Sequence, residues 1–191
     1  VAVGPEIAIL NTFNLKPLEV GEEGPICVRG EPCFRGYGQL ANDPDQKIPE
    51  TFLAGGWFDT GDLGYLDEDG FLYITGRSKE VINRGGEIIS PMEVEEAITS
   101  HPDVITCAAF SAMHSVLQEV VGITLVMKAG RPCMDLTTLH EYLGDRLAVE
   151  KWPQCIVFMD GLPKSHTNKL LRVKLGSRLG LPELTDDMST F

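Results

Sequence analysis

"GRSKEVINRGGEIISPMEVEE", residues Gly76–Glu96, is where the character of this chain changes. Before it the sequence reads as short strands and turns; after it strands and helices alternate. Inside it, "EVIN" and "EIIS" flank Arg84-Gly85-Gly86 and predict a short hairpin whose glycines supply the backbone freedom of the turn. Ser90 precedes Pro91, with Glu93 three residues beyond Ser90, the pattern of a capping box with proline at the first helical position. Met92, Val94, Ala97 and Ile98 then predict the apolar face of a helix running to Ser100. The boundary between the two parts falls at Gly76–Lys79.

Upstream, "EIAILN" and "GPICVRG" read as short strands joined by the turn-rich "LKPLEVGEEG". "ANDPDQKIPETFLAGG" predicts an irregular surface loop, and "WFDTGDLGYLDEDGFLYITG" a hairpin turning at Asp67–Gly70. This half is expected to be all β, as a small distorted barrel or sheet. Downstream, "VITCAAFSA", "VVGITLVMK" and "CIVFMD" predict strands. "DLTTLHEYLGDRLA" predicts an amphipathic helix with Leu136, Leu139, Leu143 and Leu147 on one face, and "NKLLRVKLGSRL" a basic one. The fold class is therefore mixed α/β, a β-rich subdomain followed by a small α+β domain.

Charge and cysteine content remove several functions. The 191 residues carry 28 acidic against 16 basic side chains, a net charge of −12, which argues against a nucleic-acid or anionic-membrane surface. The five cysteines, Cys27, Cys33, Cys107, Cys133 and Cys155, are odd in number and form no C-x-x-C pair. That pattern argues for a reducing compartment rather than a disulfide framework or structural zinc. The four histidines lack metal-ligand spacing, and no apolar run has membrane-spanning length. The expectation is a cytoplasmic protein, with the peroxisome as second candidate although "MSTF" is not an S-K-L address. The chain opens at Val1 directly into strand-like sequence, as a piece of something longer would.

Three clusters carry candidate chemistry. In "GWFDTGD", Asp62 is placed to accept hydrogen bonds from a diol such as a ribose; the competing reading is a turn in which Asp62 bonds its own backbone. In "GRSKEVINRGGE", Arg77 offers a directional guanidinium fork, and Gly85-Gly86 lets another molecule pass close to the backbone. The plain alternative is a hairpin with a surface arginine. In "LPKSHTNKLLRVKL", Lys169, on the loop side of a helix start, is the candidate to meet an anion, whereas Lys164, Arg172 and Lys174 read as a solvated basic face.

Order and spacing of the three clusters together resemble the adenylate-forming enzymes: acyl-CoA synthetases, peptide-synthetase adenylation domains and beetle luciferase. "PETF...GGWFDTGDLGYLDEDGFLYITGRSKEVINRGGEIISPMEVEEAI" is similar to the acyl-CoA synthetase branch, and the resemblance runs from about Glu6 to Leu175. Peptide-synthetase domains more often read Y-R-T-G-D and G-R-x-D, where this chain has Trp57 and Lys79.

The resemblance implies residues 1–76 as the last β subdomain of a large adenylation domain, 77–79 as a hinge centred on Lys79, and 80–191 as a mobile lid. It implies that Asp62 and Arg77 contact the ATP ribose and nucleotide, that Arg84–Glu87 lines the passage for the CoA pantetheine, with Gly85, Gly86 and Glu87 as its binding residues, and that Lys169 is the catalytic lysine reaching the carboxylate and α-phosphate. The implied reaction joins a small-molecule carboxylic acid to CoA through an acyl-adenylate, using ATP and Mg2+. The phosphate loop, magnesium-binding T-E motif and acyl pocket of the family lie upstream, so this stretch alone is expected to be inactive. Asn168 stands where the family lysine usually follows glycine. A domain that loads a carrier protein, and a non-catalytic module keeping the lid fold, are the other two readings.

Overall fold

The computed structural model describes residues 4–33 and 51–185. Residues 41–50 of the expected surface loop lie outside them. The chain divides into two compact units, Val1–Ser78 and Lys79–Phe191.

The first unit is one five-stranded antiparallel sheet. Its strands are β1 (Glu6–Asn11), β2 (Lys16–Pro17), β3 (Gly24–Arg29), β4 (Phe58–Leu66) and β5 (Leu72–Arg77), in the order β2-β1-β3-β4-β5. No ladder joins β5 back to β2 among the described residues, so the sheet is open and the expected barrel closure is corrected. A small core of Leu10, Cys27 and Trp57 lies against it. The β4–β5 turn forms as expected: Gly70 takes φ 81°, and the Asp67 carboxylate accepts from the amides of Asp69 and Phe71 at 3.1 and 2.8 Å. Asp67 thus replaces the turn's missing backbone partners.

The second unit begins with the hairpin of β6 (Ile82–Arg84) and β7 (Glu87–Ile89), in register Ile82↔Ile89 and Arg84↔Glu87. Its two-residue turn has Gly85 at φ 58° and Gly86 at φ 102°, the double positive φ of a type I′ turn. Helix α1 (Pro91–Thr99) follows with Ser90 at the N-cap and Pro91 at the first position. The Glu93 carboxylate in its first turn accepts from Lys151 at 2.6 and 2.7 Å. Strands β8 (Val104–His114) and β9 (Gln118–Met127) form the long central hairpin.

Helix α2 spans only Leu136–Leu143, capped by Asp135 accepting from the Thr138 amide at 2.8 Å and ended at Gly144. Leu147, expected on its face, is buried through a turn beyond the helix. Strand β10 (Cys155–Phe158) pairs parallel with β9. The main core joins Ile82, Ile89, Val94, Ile98, Ile123, Leu125, Leu139 and Leu143, all fully buried. Each such side chain contributes about 1.5–3 kcal/mol of hydrophobic stabilisation.

The basic helix expected over "NKLLRVKLGSRL" is corrected to the short α3 (Leu175–Arg178). Residues before it are spent otherwise: Lys164 bridges Leu170 antiparallel, and the Leu171 amide donates to Pro163. Lys174, in the left-handed conformation at φ 57°, then breaks any helical continuity. No helix among the described residues is long and apolar enough to cross a membrane.

Candidate functional site

The T-G-D triplet of the first unit is a bulge within β4. Strand β3 pairs Pro25 with Leu63 and Cys27 with Asp59, so residues 60–62 face Ile26 alone. Two side chains hold the excursion through three hydrogen bonds. Thr60 Oγ1 donates to the Ile26 carbonyl at 2.9 Å and accepts from the Asp62 amide at 3.1 Å, while Asp59 Oδ1 accepts from the Gly61 amide at 2.8 Å. Gly61 sits at φ 76°, where an L side chain is strained. Thr60 and the glycine are therefore what allow Asp62 to project from the sheet.

A second irregularity brings Arg77 to Asp62. From Leu66↔Leu72 to Gly64↔Ile74 the β4–β5 register is regular; it then slips to Leu63↔Gly76 and Asp62↔Arg77, leaving Thr75 extra on β5. Without that bulge Asp62 would face Gly76. With it, Arg77 Nε donates to Asp62 Oδ1 at 2.7 Å. The side chains are 59% and 28% exposed, so the pair adds little stability but leaves the carboxylate's second oxygen within reach of a ligand. Carboxylate and guanidinium side by side present acceptor and donor to a diol and an anionic oxygen. The turn reading for Asp62 is answered by this arrangement: its side chain goes to Arg77, and Asp59 makes the local backbone bond.

Ser78 closes this unit. Its amide and hydroxyl both donate to the Gly61 carbonyl, at 2.9 and 3.3 Å. Gly76 is buried inside β5 opposite Leu63, and Lys79, the next residue after Ser78, is exposed.

Two loops of the second unit carry the remaining candidates. Gly85, Gly86 and Glu87 are exposed at the tip of the β6–β7 hairpin. Around them the Gly85 amide donates to Leu117, the Gly86 amide to Asn83 Oδ1, and the Asn83 amide to Glu119 Oε2, each at 2.8 Å. The tip is thus a rigid turn with an open outer side.

Lys169 lies on a tight hairpin, not at a helix start. The Asn168 amide donates to the Ser165 carbonyl at 2.9 Å and the Ser165 amide to the Lys169 carbonyl at 2.8 Å. This is a type I turn followed by a left-handed residue, and that residue is Asn168 at φ 63°. Asparagine is the non-glycine residue most at ease there, so the turn forms without a glycine. Ser165 Oγ also accepts from the Lys169 amide at 3.2 Å. The Lys169 side chain is exposed, with no hydrogen bond or ion pair among the described residues.

Arg172 departs most from the sequence reading. Expected on a solvated face, it is 13% exposed and clamped between two carboxylates. Its Nη2 donates to both oxygens of Glu95 at 2.8 and 2.9 Å, and its Nη1 to Glu80. Glu95 Oε1 also accepts from the Ala109 amide at 2.8 Å. Burial raises the Glu95 carboxyl above its usual range against the opposing pull of Arg172 and the Ala109 amide. No sequence signal marked Glu80, Glu95, Asp59 or Ser165; Thr60 was visible only as part of the triplet. Among the described residues no group of three His, Cys, Asp or Glu side chains is placed to hold a metal ion.

Residues 93–169 match the AMP-binding enzyme C-terminal domain family. Over 170 residues, 89% of this chain and 31% of the relative, the sequence is 38% identical to a probable CoA ligase, CCL9, of Humulus lupulus. It is 36% identical over 173 residues to the oxalate–CoA ligase of Arabidopsis thaliana, covering 89% of this chain and 32% of that enzyme. The structure is similar to the o-succinylbenzoate CoA synthetase of Bacillus subtilis solved with its acyl-adenylate intermediate. There the TM-score is 0.77 at 35% identity, over 91% of this chain and 34% of that one. The chain spans about a third of the length of the curated relatives it matches. Over most of its length the chain is thus similar to the carboxy-terminal part of CoA ligases and other adenylate-forming enzymes, and residues 93–169 match their C-terminal domain family.

Proposed function

We propose that this chain forms the carboxy-terminal part of an ATP-dependent carboxylic acid–CoA ligase. The observation that carries the reading is the Asp62–Arg77 pair: two separate motifs meet, through a β-bulge, as one exposed acceptor and donor in a chain similar to these enzymes. In the reaction, a carboxylate attacks the ATP α-phosphate and releases pyrophosphate; the CoA thiol then attacks the acyl carbon and AMP leaves. Asp62 accepts from the ribose hydroxyls and Arg77 contacts the same nucleotide. The Lys169 ammonium stabilises charge developing between carboxylate and α-phosphate, a step governed by positioning and electrostatics. Lys79 is the pivot about which the second unit turns between half-reactions, bringing Gly85, Gly86 and Glu87 to the pantetheine passage. The Mg2+ that accompanies ATP is assigned no ligand in this chain.

Lys169→Ala in the full-length enzyme is expected to slow ATP–pyrophosphate exchange by about a hundredfold, the scale for losing one preorganised charge donor. Thioester formation from supplied acyl-adenylate should be largely retained. Equal loss in both half-reactions would remove Lys169 from its role. Exchange with any carboxylic acid would separate this reading from a non-catalytic module, and free CoA as acceptor would separate it from carrier-protein loading.

A further inference from the structure

The Arg172 cluster is absorbed by none of these roles. It joins three places far apart in sequence: the hairpin of Lys169, the first turn and a half of α1 through Glu95, and Glu80, directly after the exposed Lys79. Two carboxylates against one guanidinium, with Arg172 Nε buried and unpaired among the described residues, make a poor stabilising device. Desolvation of buried ions offsets most of their attraction, and an apolar cluster of similar volume stabilises as well or better. What the guanidinium provides is direction, because Nη1 on Glu80 and Nη2 on Glu95 fix it in orientation as well as place.

The chain around Lys79 sharpens the point. On one side Ser78 is held twice by the Gly61 carbonyl; on the other Glu80 is held by Arg172. Lys79 is thus a single residue between two anchored ones. From Glu80 the restraint passes through Arg172 to the hairpin three residues away, closed by the Leu171 amide on Pro163 and the Lys164–Leu170 bridge.

We infer that Arg172, clamped by Glu80 and Glu95, is a positioning residue that ties the Lys169 hairpin to the segment just after Lys79, so that both move as one body. The inference rests on the catalytic reading of Lys169. Its consequence is that displacing Arg172 misplaces Lys169 without removing it, and a misplacement of about 1 Å costs up to a hundredfold in rate.

The test is a double-mutant cycle in the full-length enzyme, read by ATP–pyrophosphate exchange. Arg172→Gln is expected to lower kcat by roughly tenfold or more with KM for ATP little changed. Arg172→Lys, which keeps charge without the fork, should restore only a small part. In the Lys169→Ala background Arg172→Gln should cost nothing further, because the two act as a unit. Glu80→Gln, which leaves the Arg172–Glu95 contact intact, should show a smaller loss of the same kind and decides the matter if Arg172→Gln fails to fold. Equal losses with and without Lys169 would overturn the inference and leave the Lys169 reading standing. A Lys169→Ala enzyme with undiminished exchange would overturn that reading and the inference with it.

Discussion

Cys27, Cys107 and Cys155 are buried, and Cys133 is exposed. Burial pushes the three buried thiols up from 9.0 to about 11, so at neutral pH they stay protonated and unreactive. Because the raised value belongs to the folded state, the stability it contributes is complete below pH 9 and is lost as pH rises towards 11. Alkylation of the native chain followed by peptide mass spectrometry is expected to label Cys133 first, and the three buried thiols only after unfolding. Labelling of Cys107 at the rate of Cys133 would contradict this. The same residue scale explains Asn168: the turn needs a left-handed φ at that position, and asparagine is the non-glycine residue best able to supply it.

Secondary elements here place chemistry through their irregularities. Strand β4 bulges away from β3 at residues 60–62, and β5 carries the extra Thr75 that sets Asp62 opposite Arg77. Gly64 sits beside the second slip, where an added methyl would overlap the Tyr73 carbonyl oxygen and press on Ile26 Cδ1 at 3.0 Å. Gly64→Ala is therefore expected to lower stability by about 1–3 kcal/mol through overpacking, read as a shifted urea midpoint. An unchanged midpoint would show that β5 relaxes freely there. The β6–β7 turn works in the opposite way, holding its positions through two positive-φ glycines and a ring of amide bonds.

At the scale of the molecule, each unit has its own core. Leu10, Cys27 and Trp57 centre the first, while the second holds a large cluster around Ile123, Leu125 and Leu139 and another around Phe110 and Leu175. Units with separate cores unfold separately, the smaller core giving way first. Calorimetry of the 191-residue chain is expected to resolve two transitions, with a calorimetric enthalpy above the van't Hoff value. One transition with equal enthalpies would mean a single cooperative body. Such independence is what a pivot at Lys79 requires.

Local chemistry was enough to read the Asp67–Gly70 and Gly85-Gly86 turns, the alternating strands and the T-G-D and G-R motifs from the sequence, because each depends on residues within a few positions. The helix expected across Lys169 failed for the converse reason. Its apolar spacing is real, but Leu170 and Leu171 are claimed by pairing with Lys164 and Pro163, and Arg172 by carboxylates 77 and 92 positions away. Register behaves likewise: whether Asp62 meets Gly76 or Arg77 turns on one extra residue in the facing strand, which no local pattern encodes. Turn chemistry, strand alternation and motif identity were thus determined by the sequence itself. Burial of a charge and the slip of a strand were decided only by the folded chain, since both are set by partners that contact supplies and sequence distance conceals.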